Sequence, residues 1–103
     1  MATSTIKKDA PIIITKQYSG TFGFSASERK GITANNLNMS TPSGYEVLGV
    51  YNAYTTSADV DVIGIRASST GTQNALWVRN RTNSTVRDVT VYYCVAYIRS
   101  DLT

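Results

Sequence analysis

The sequence predicts a single all-β domain, a jelly-roll-like antiparallel β-sandwich of roughly six to eight strands. Three observations lead there. No window sustains the apolar period of a helix. Thr, Val, Ile and Tyr recur throughout, and these residues fit a pleated surface. Clusters of Gly, Asn and Ser interrupt the apolar runs at short intervals, as turns do. The chain has 103 residues, enough for one domain. A chain of this size buries roughly 60–68% of its unfolded surface, so its core is thin and self-association would add to its stability.

Residues 1–10 read as a polar leader without the apolar stretch of a signal peptide, and the domain is expected over 11–103. Pro11 is acceptable at a strand start and opens a strand at 12–15. Ser19 and Gly20 predict a turn, followed by a second short strand at 21–24. Residues 27–31 are polar and charged and read as a loop, and 32–39 read as a weak strand. Thr41-Pro42-Ser43-Gly44 is a turn signal. The run 45–54 alternates as a strand, and 55–58 is a loop. Residues 59–67 form a strand whose apolar phase switches, Val60 and Val62 on one face and Ile63 and Ile65 on the other, which predicts a bulge near Gly64. A turn is expected at 68–72. A strand follows at 73–80, with Leu76 and Val78 opposite Trp77 and Arg79. Residues 81–85 are a loop, and 86–99 make the last and longest strand.

That last strand is apolar on both faces from Tyr92 onward. Tyr93, Val95 and Tyr97 point one way; Tyr92, Cys94, Ala96 and Ile98 point the other. In a two-layer domain one face fills the core and the other needs its own cover. Loops could supply it, but a patch of this kind marks association. Tyr92, Cys94, Ala96 and Ile98 are therefore the candidate interface of a homo-oligomer.

Composition narrows the function. Histidine is absent, which removes Ser-His-Asp and Cys-His catalysis and the commonest metal ligand. The single cysteine, Cys94, forms no internal disulfide, lacks a base to activate it, and reads as a small buried hydrophobe. The phosphate-cradling glycine motifs are missing. The net charge is +3, but the basic residues are scattered and several sit beside an acid, as in Lys8-Asp9, Glu28-Arg29 and Arg87-Asp88. No nucleic-acid partner is expected, and no run approaches the roughly 18 apolar residues of a membrane span. No enzyme, cofactor or metal is expected.

Two aromatic groups are candidate ligand contacts. Trp77, Arg79 and Arg81 share one side if the strand continues, because strand side chains alternate. A ring beside guanidinium donors suits a sugar or an acidic polymer. The competing reading packs Trp77 under a loop and leaves the arginines as a solvated face. Tyr51 and Tyr54, with Asn52, form a second polar-aromatic group. Asp59 and Asp61 would share a face at roughly 6–7 Å, near the spacing of glycosidase carboxylates. Such pairs more often protect an edge. Asn38-Met39-Ser40, Asn80-Arg81-Thr82 and Asn83-Ser84-Thr85 read as turns.

Three stretches carry a resemblance. They are Ser4-Thr5-Ile6-Lys7-Lys8; Ser43-Gly44-Tyr45-Glu46-Val47-Leu48-Gly49-Val50; and Trp77-Val78-Arg79-Asn80-Arg81-Thr82-Asn83-Ser84-Thr85, continuing through Asp88-Val89-Thr90-Val91 to Val95-Ala96-Tyr97-Ile98-Arg99-Ser100. In these the chain resembles the small tail or baseplate appendage proteins of siphophages and prophages of Gram-positive bacteria, over about residues 40–100. The resemblance implies a virion structural protein: a jelly-roll head, usually trimeric, made in the host cytoplasm and placed on the virion tail. Such heads can serve as receptor-binding proteins for host cell-surface saccharide. A free-standing bacterial carbohydrate-binding or protein-interaction module is the alternative.

Overall fold

The computed structural model describes residues 10–37, 39–66 and 73–102. The leader up to residue 9, Asn38 and the turn expected at 68–72 lie outside the described residues. Six strands form: β1 (Ile13–Phe24), β2 (Arg29–Thr33), β3 (Tyr45–Thr55), β4 (Val60–Ile65), β5 (Asn74–Asn80) and β6 (Val86–Arg99). The only helical pieces among the described residues are two single 3₁₀ turns, Ala34–Asn36 and Ser100–Leu102. Two antiparallel three-stranded sheets result, in the orders β1-β6-β3 and β2-β5-β4. The first strand pairs with the last, the second with the next to last, and the chain changes sheet at every connection except β4 to β5. That is the rolled antiparallel ribbon of a jelly roll, with three strands per sheet.

The core lies between the sheets. Val89, Val91, Tyr93, Val95 and Tyr97 project inward from β6 and are 4% exposed or less. The second sheet answers with Val60, Ile32, Leu76 and Val78. This is the period of two expected of a strand with one face buried. The sequence pattern of β4, β5 and β6 holds, and the β4 bulge falls between Val62 and Gly64 as the phase switch requires.

Three expectations fail for physical reasons. No turn forms at Ser19-Gly20. The ladder runs straight through, pairing Ser19 with Tyr92 and Gly20 with Val91. A side chain on Gly20 would lie 2.9 Å from the Phe22 ring, so the aromatic ring occupies the room that Gly20 leaves open. The weak strand at 32–39 stops at Thr33, where a 3₁₀ turn buries Ala34 and delivers Leu37 to the core. The loop at 27–31 is partly strand, because Arg29, Lys30 and Gly31 pair with Arg79, Val78 and Trp77. Lys30 turns its ammonium group over the Phe24 ring at 5.1 Å and donates to the Gly23 carbonyl. A lysine turned inward on an edge strand guards that edge against pairing.

Polar groups in the interior are satisfied. Asn80 is 1% exposed. Its amide donates to the carbonyls of Ser25 (2.9 Å) and Ser84 (2.8 Å), and its carbonyl oxygen accepts from the Thr82 backbone N–H (2.9 Å) and hydroxyl (2.8 Å). One side chain thus joins the loop after β1 to the loop before β6. Tyr97, fully buried, shares a 2.7 Å hydrogen bond with the Tyr18 hydroxyl. Tyr18 donates its own proton to the Ser40 carbonyl at 3.0 Å, so Tyr97 is the donor of the pair. Burial, and then this donated bond, push the Tyr97 phenol well above its ordinary value.

Two outcomes are expected. Asn80→Ala leaves the Ser25, Thr82 and Ser84 groups without their partner and should lower stability by about 2–3 kcal/mol in urea unfolding. Tyr97 keeps its proton in the fold after an unfolded tyrosine, near pH 10, would lose it. Its contribution is therefore complete below about pH 10 and drains away as pH rises beyond that. Tyr97→Phe should cost about 1 kcal/mol at neutral pH and flatten the alkaline loss of stability.

Candidate functional site

The outer face of the second sheet gathers the first candidate group. β5 is its central strand, and Leu76, Val78 and Asn80 are turned to the core. Trp77 and Arg79 must then stand on the outer face, Trp77 half-buried and Arg79 exposed. Cross-strand pairing supplies their neighbours. Gly31 on β2 and Gly64 on β4 lie directly opposite Trp77 on its two sides. Arg29 and Asp61 lie directly opposite Arg79. The face is thus two rows, Gly31-Trp77-Gly64 and Arg29-Arg79-Asp61, about 6.7 Å apart along the strands.

Each glycine leaves its place to a neighbour. A side chain on Gly64 would meet the Trp77 ring at 3.6 Å, so the indole leans over Gly64. A side chain on Gly31 would strike the Asn74 amide at 2.5 Å, so Asn74 lies over Gly31. An aromatic ring covering a strand glycine is a known means of steadying an edge. It accounts for the half-burial of Trp77.

Arg81 falls beyond the end of β5, yet its side chain reaches the same face. Its Nε lies 2.9 Å from the Asp61 carboxylate, with both side chains 48% exposed, and its guanidinium also donates to the Ala58 carbonyl. Arg81 is therefore tied down as a strut between β4 and the loop before it, whereas among the described residues Arg79 makes no ion pair. Asp61 is the partner of Arg81. Asp59 lies outside β4, where its carbonyl accepts the Arg81 backbone N–H at 2.9 Å. The two acids do not share a strand face. Among the described residues, no cluster of three or more metal-ligating side chains forms.

Tyr51 and Tyr54 stand on β3, in the other sheet, so the two aromatic groups are separate. Tyr51 is the extra residue of a bulge and is 52% exposed. Tyr54 stacks on Tyr92 at 5.0 Å between ring centroids, on the outer face of the first sheet. Tyr92, Cys94, Ala96 and Ile98 form the spine of that face, all half-buried. Cys94 is thus not in the core. Its Sγ lies 3.8 Å from the Gln17 side-chain oxygen. The spine is apolar, but its flanks are mixed: Thr15, Gln17 and Ser19 on β1, Glu46 and Asn52 on β3, with Ile13 and Tyr54 exposed at opposite ends. The apolar surface is narrower than the β6 sequence implies, because its cross-strand partners are largely polar.

Gly44, Tyr45, Arg99 and Ser100 have structural work. The Gly44 carbonyl accepts two bonds from Ser100, from its N–H at 2.9 Å and its hydroxyl at 2.8 Å. The Tyr45 hydroxyl donates to the Pro11 carbonyl at 2.7 Å, and Arg99 donates to the Ala10 carbonyl at 2.9 Å. Together they fasten the chain where β1 begins.

Arg29 was not legible as a site residue, since only the cross-strand register sets it beside Arg79. Comparison with known proteins adds no relative: no protein-family model, curated protein or solved structure matches the chain significantly.

The geometry fixes what truncating Trp77 does to the fold. A half-buried outer-face ring gives up about 1 kcal/mol of cross-strand packing, whereas a core aromatic such as Tyr93 gives up about 3–5 kcal/mol. Trp77→Ala should therefore remain folded at 25 °C, with a loss well below that of Tyr93→Ala when both are unfolded in denaturant.

Proposed function

We propose that this domain is a non-enzymatic binding module, the head of a phage or prophage tail appendage, which associates with its own copies and contacts saccharide on the host cell surface. One observation carries the binding half: the half-buried Trp77 ring stands on the outer face of the second sheet, between two strand glycines and beside the exposed Arg29 and Arg79. A pyranose has an apolar C–H face and a rim of hydroxyls, and a ring with neighbouring donors complements both. Flat β faces with an exposed aromatic suit an extended polymer better than a small molecule, which would need a concave pocket.

The association half rests on the first sheet. Its outer face carries the Tyr92, Cys94, Ala96 and Ile98 spine with Ile13 and Tyr54 beside it, on the side opposite Trp77. Packing that face against a second copy would bury the spine and leave the Trp77 face free. Three copies follow the pattern of the appendages that the chain resembles.

Sedimentation equilibrium at micromolar concentration should give a mass well above the 11.2 kDa of one chain. Ile98→Lys, which puts a charge on the spine, should reduce the particle to monomers while leaving the β-sheet circular dichroism intact. On a cell-wall glycan array, Trp77→Ala should weaken binding at least thirtyfold, about 2 kcal/mol. A monomer at every concentration would remove the association, and unchanged array binding by the folded variant would remove Trp77 from the site.

A further inference from the structure

We infer that Arg29 and Arg79 bind the oxyanion of an acidic saccharide, a carboxylate, sulfate or phosphate ester, whose sugar ring lies on Trp77. This rests on the saccharide reading and adds the charge of the ligand and a residue, Arg29, that the sequence does not mark.

The two arginines are directly opposed across the β2–β5 ladder. Directly opposed like charges destabilise a sheet, so the arrangement calls for a counter-charge. The acids nearby are already engaged. Asp61, on the other side of Arg79, is held by Arg81 at 2.9 Å. Glu28, next to Arg29 in sequence, turns back to accept the Ser25 N–H at 2.8 Å. Among the described residues neither Arg29 nor Arg79 has an acidic partner, and both are exposed. Two guanidinium forks side by side can close on one oxyanion with parallel charge-assisted bonds. Their row lies about 6.7 Å from the Trp77 row, close enough for a single acidic sugar unit to touch both.

The same charges favour a sugar over a nucleic acid. A phosphate backbone is held by a long basic track, with several aromatic rings in series for unpaired bases. Here the row ends at Asp61, and the face has one aromatic ring.

The chain has a single tryptophan, so its fluorescence reports this face alone. The protein would be titrated with an oligogalacturonide, a sulfated and a phosphorylated oligosaccharide, each beside its neutral counterpart (the methyl ester or the unsubstituted sugar), and with a single-stranded DNA oligonucleotide. At least one acidic sugar should shift the Trp77 emission and bind about tenfold or more tightly than its neutral counterpart, with affinity falling as salt rises. Arg29→Gln and Arg79→Gln should each erase about tenfold of that preference, with melting temperatures equal to or above wild type because the opposed charges are relieved. Lys16→Gln, on the other sheet, should bind as wild type. Equal binding of acidic and neutral sugars, or full acidic preference in both arginine variants, overturns the oxyanion site while the saccharide reading stands. DNA binding as tightly as the acidic sugar overturns it in favour of nucleic acid. No shift with any sugar overturns both.

Discussion

The antiparallel pairing of β6 with β1 on one side and β3 on the other is the constraint from which the domain follows. β6 is the central strand of its sheet, and its fourteen residues set the register of both neighbours. Because side chains alternate, fixing Tyr93, Val95 and Tyr97 in the core also fixes Tyr92, Cys94, Ala96 and Ile98 outside. A slip of one residue would exchange the two faces and put the five core side chains of β6 in water. Along most of the length of β6 the neighbours adapt to it. β3 takes up two irregularities, at Leu48 and Tyr51, and Gly49 adopts a φ of 137° that other residues rarely reach. Near its start β6 carries Asp88 at a φ of 57°, beside the register shift opposite Phe22 and Phe24. Aspartate is among the few residues that enter that region at modest cost.

The second sheet depends on this frame through its loops. Asn80 closes the end of the sandwich where the turn after β1 meets the turn before β6. At the opposite end, Gly44, Tyr45, Arg99 and Ser100 hold the start of β1 against the last residues of β6. Gly44 suits its place because its φ is 83° and its carbonyl must accept two bonds at once. Gly44, Tyr45, Arg99 and Ser100 are thus devices for closing the sandwich where β1 begins.

Legibility in the sequence followed locality. β5 and β6 were readable because their period of two survives in the residue types, whereas β4 buries only Val60 and leaves Ile63 and Ile65 exposed. The β4 bulge was readable because a shift of phase is itself a local signal. Ser19-Gly20 misled because its composition is that of a turn, while the partner strand and the Phe22 ring, which decide the matter, are remote or unconventional. At the site, Trp77 and Arg79 were legible as strand neighbours. Arg81 was placed on the correct face for an incomplete reason: the strand ends before it, and Asp61 draws it there. Arg29 and Gly31 carry no mark in one dimension, since each acquires meaning only from the residue across the ladder. The burial of Asn80 is likewise invisible, because its sequence context is that of a polar turn.

A sequence that specifies its fold keeps local preference and tertiary role in agreement, and departures from that agreement gather where another demand operates. In this domain several departures share one surface. Two glycines interrupt strands β2 and β4, and glycine inside a strand costs about 0.5–1 kcal/mol relative to alanine. Two arginines face each other across a ladder. The chain's one tryptophan is spent on the outside, although a buried aromatic would strengthen a thin core. Covering Gly64 explains the position of the ring and nothing about the arginines. Protecting an edge explains Lys30, which turns inward, and nothing about Arg29, which turns out. The first sheet has strand glycines too, Gly20, Gly23 and Gly49, but its outer face carries no directly opposed pair of like charges among the described residues. The two outer faces of the sandwich therefore differ: the first sheet presents an apolar spine between polar flanks, and the second a half-buried ring beside two directly opposed arginines.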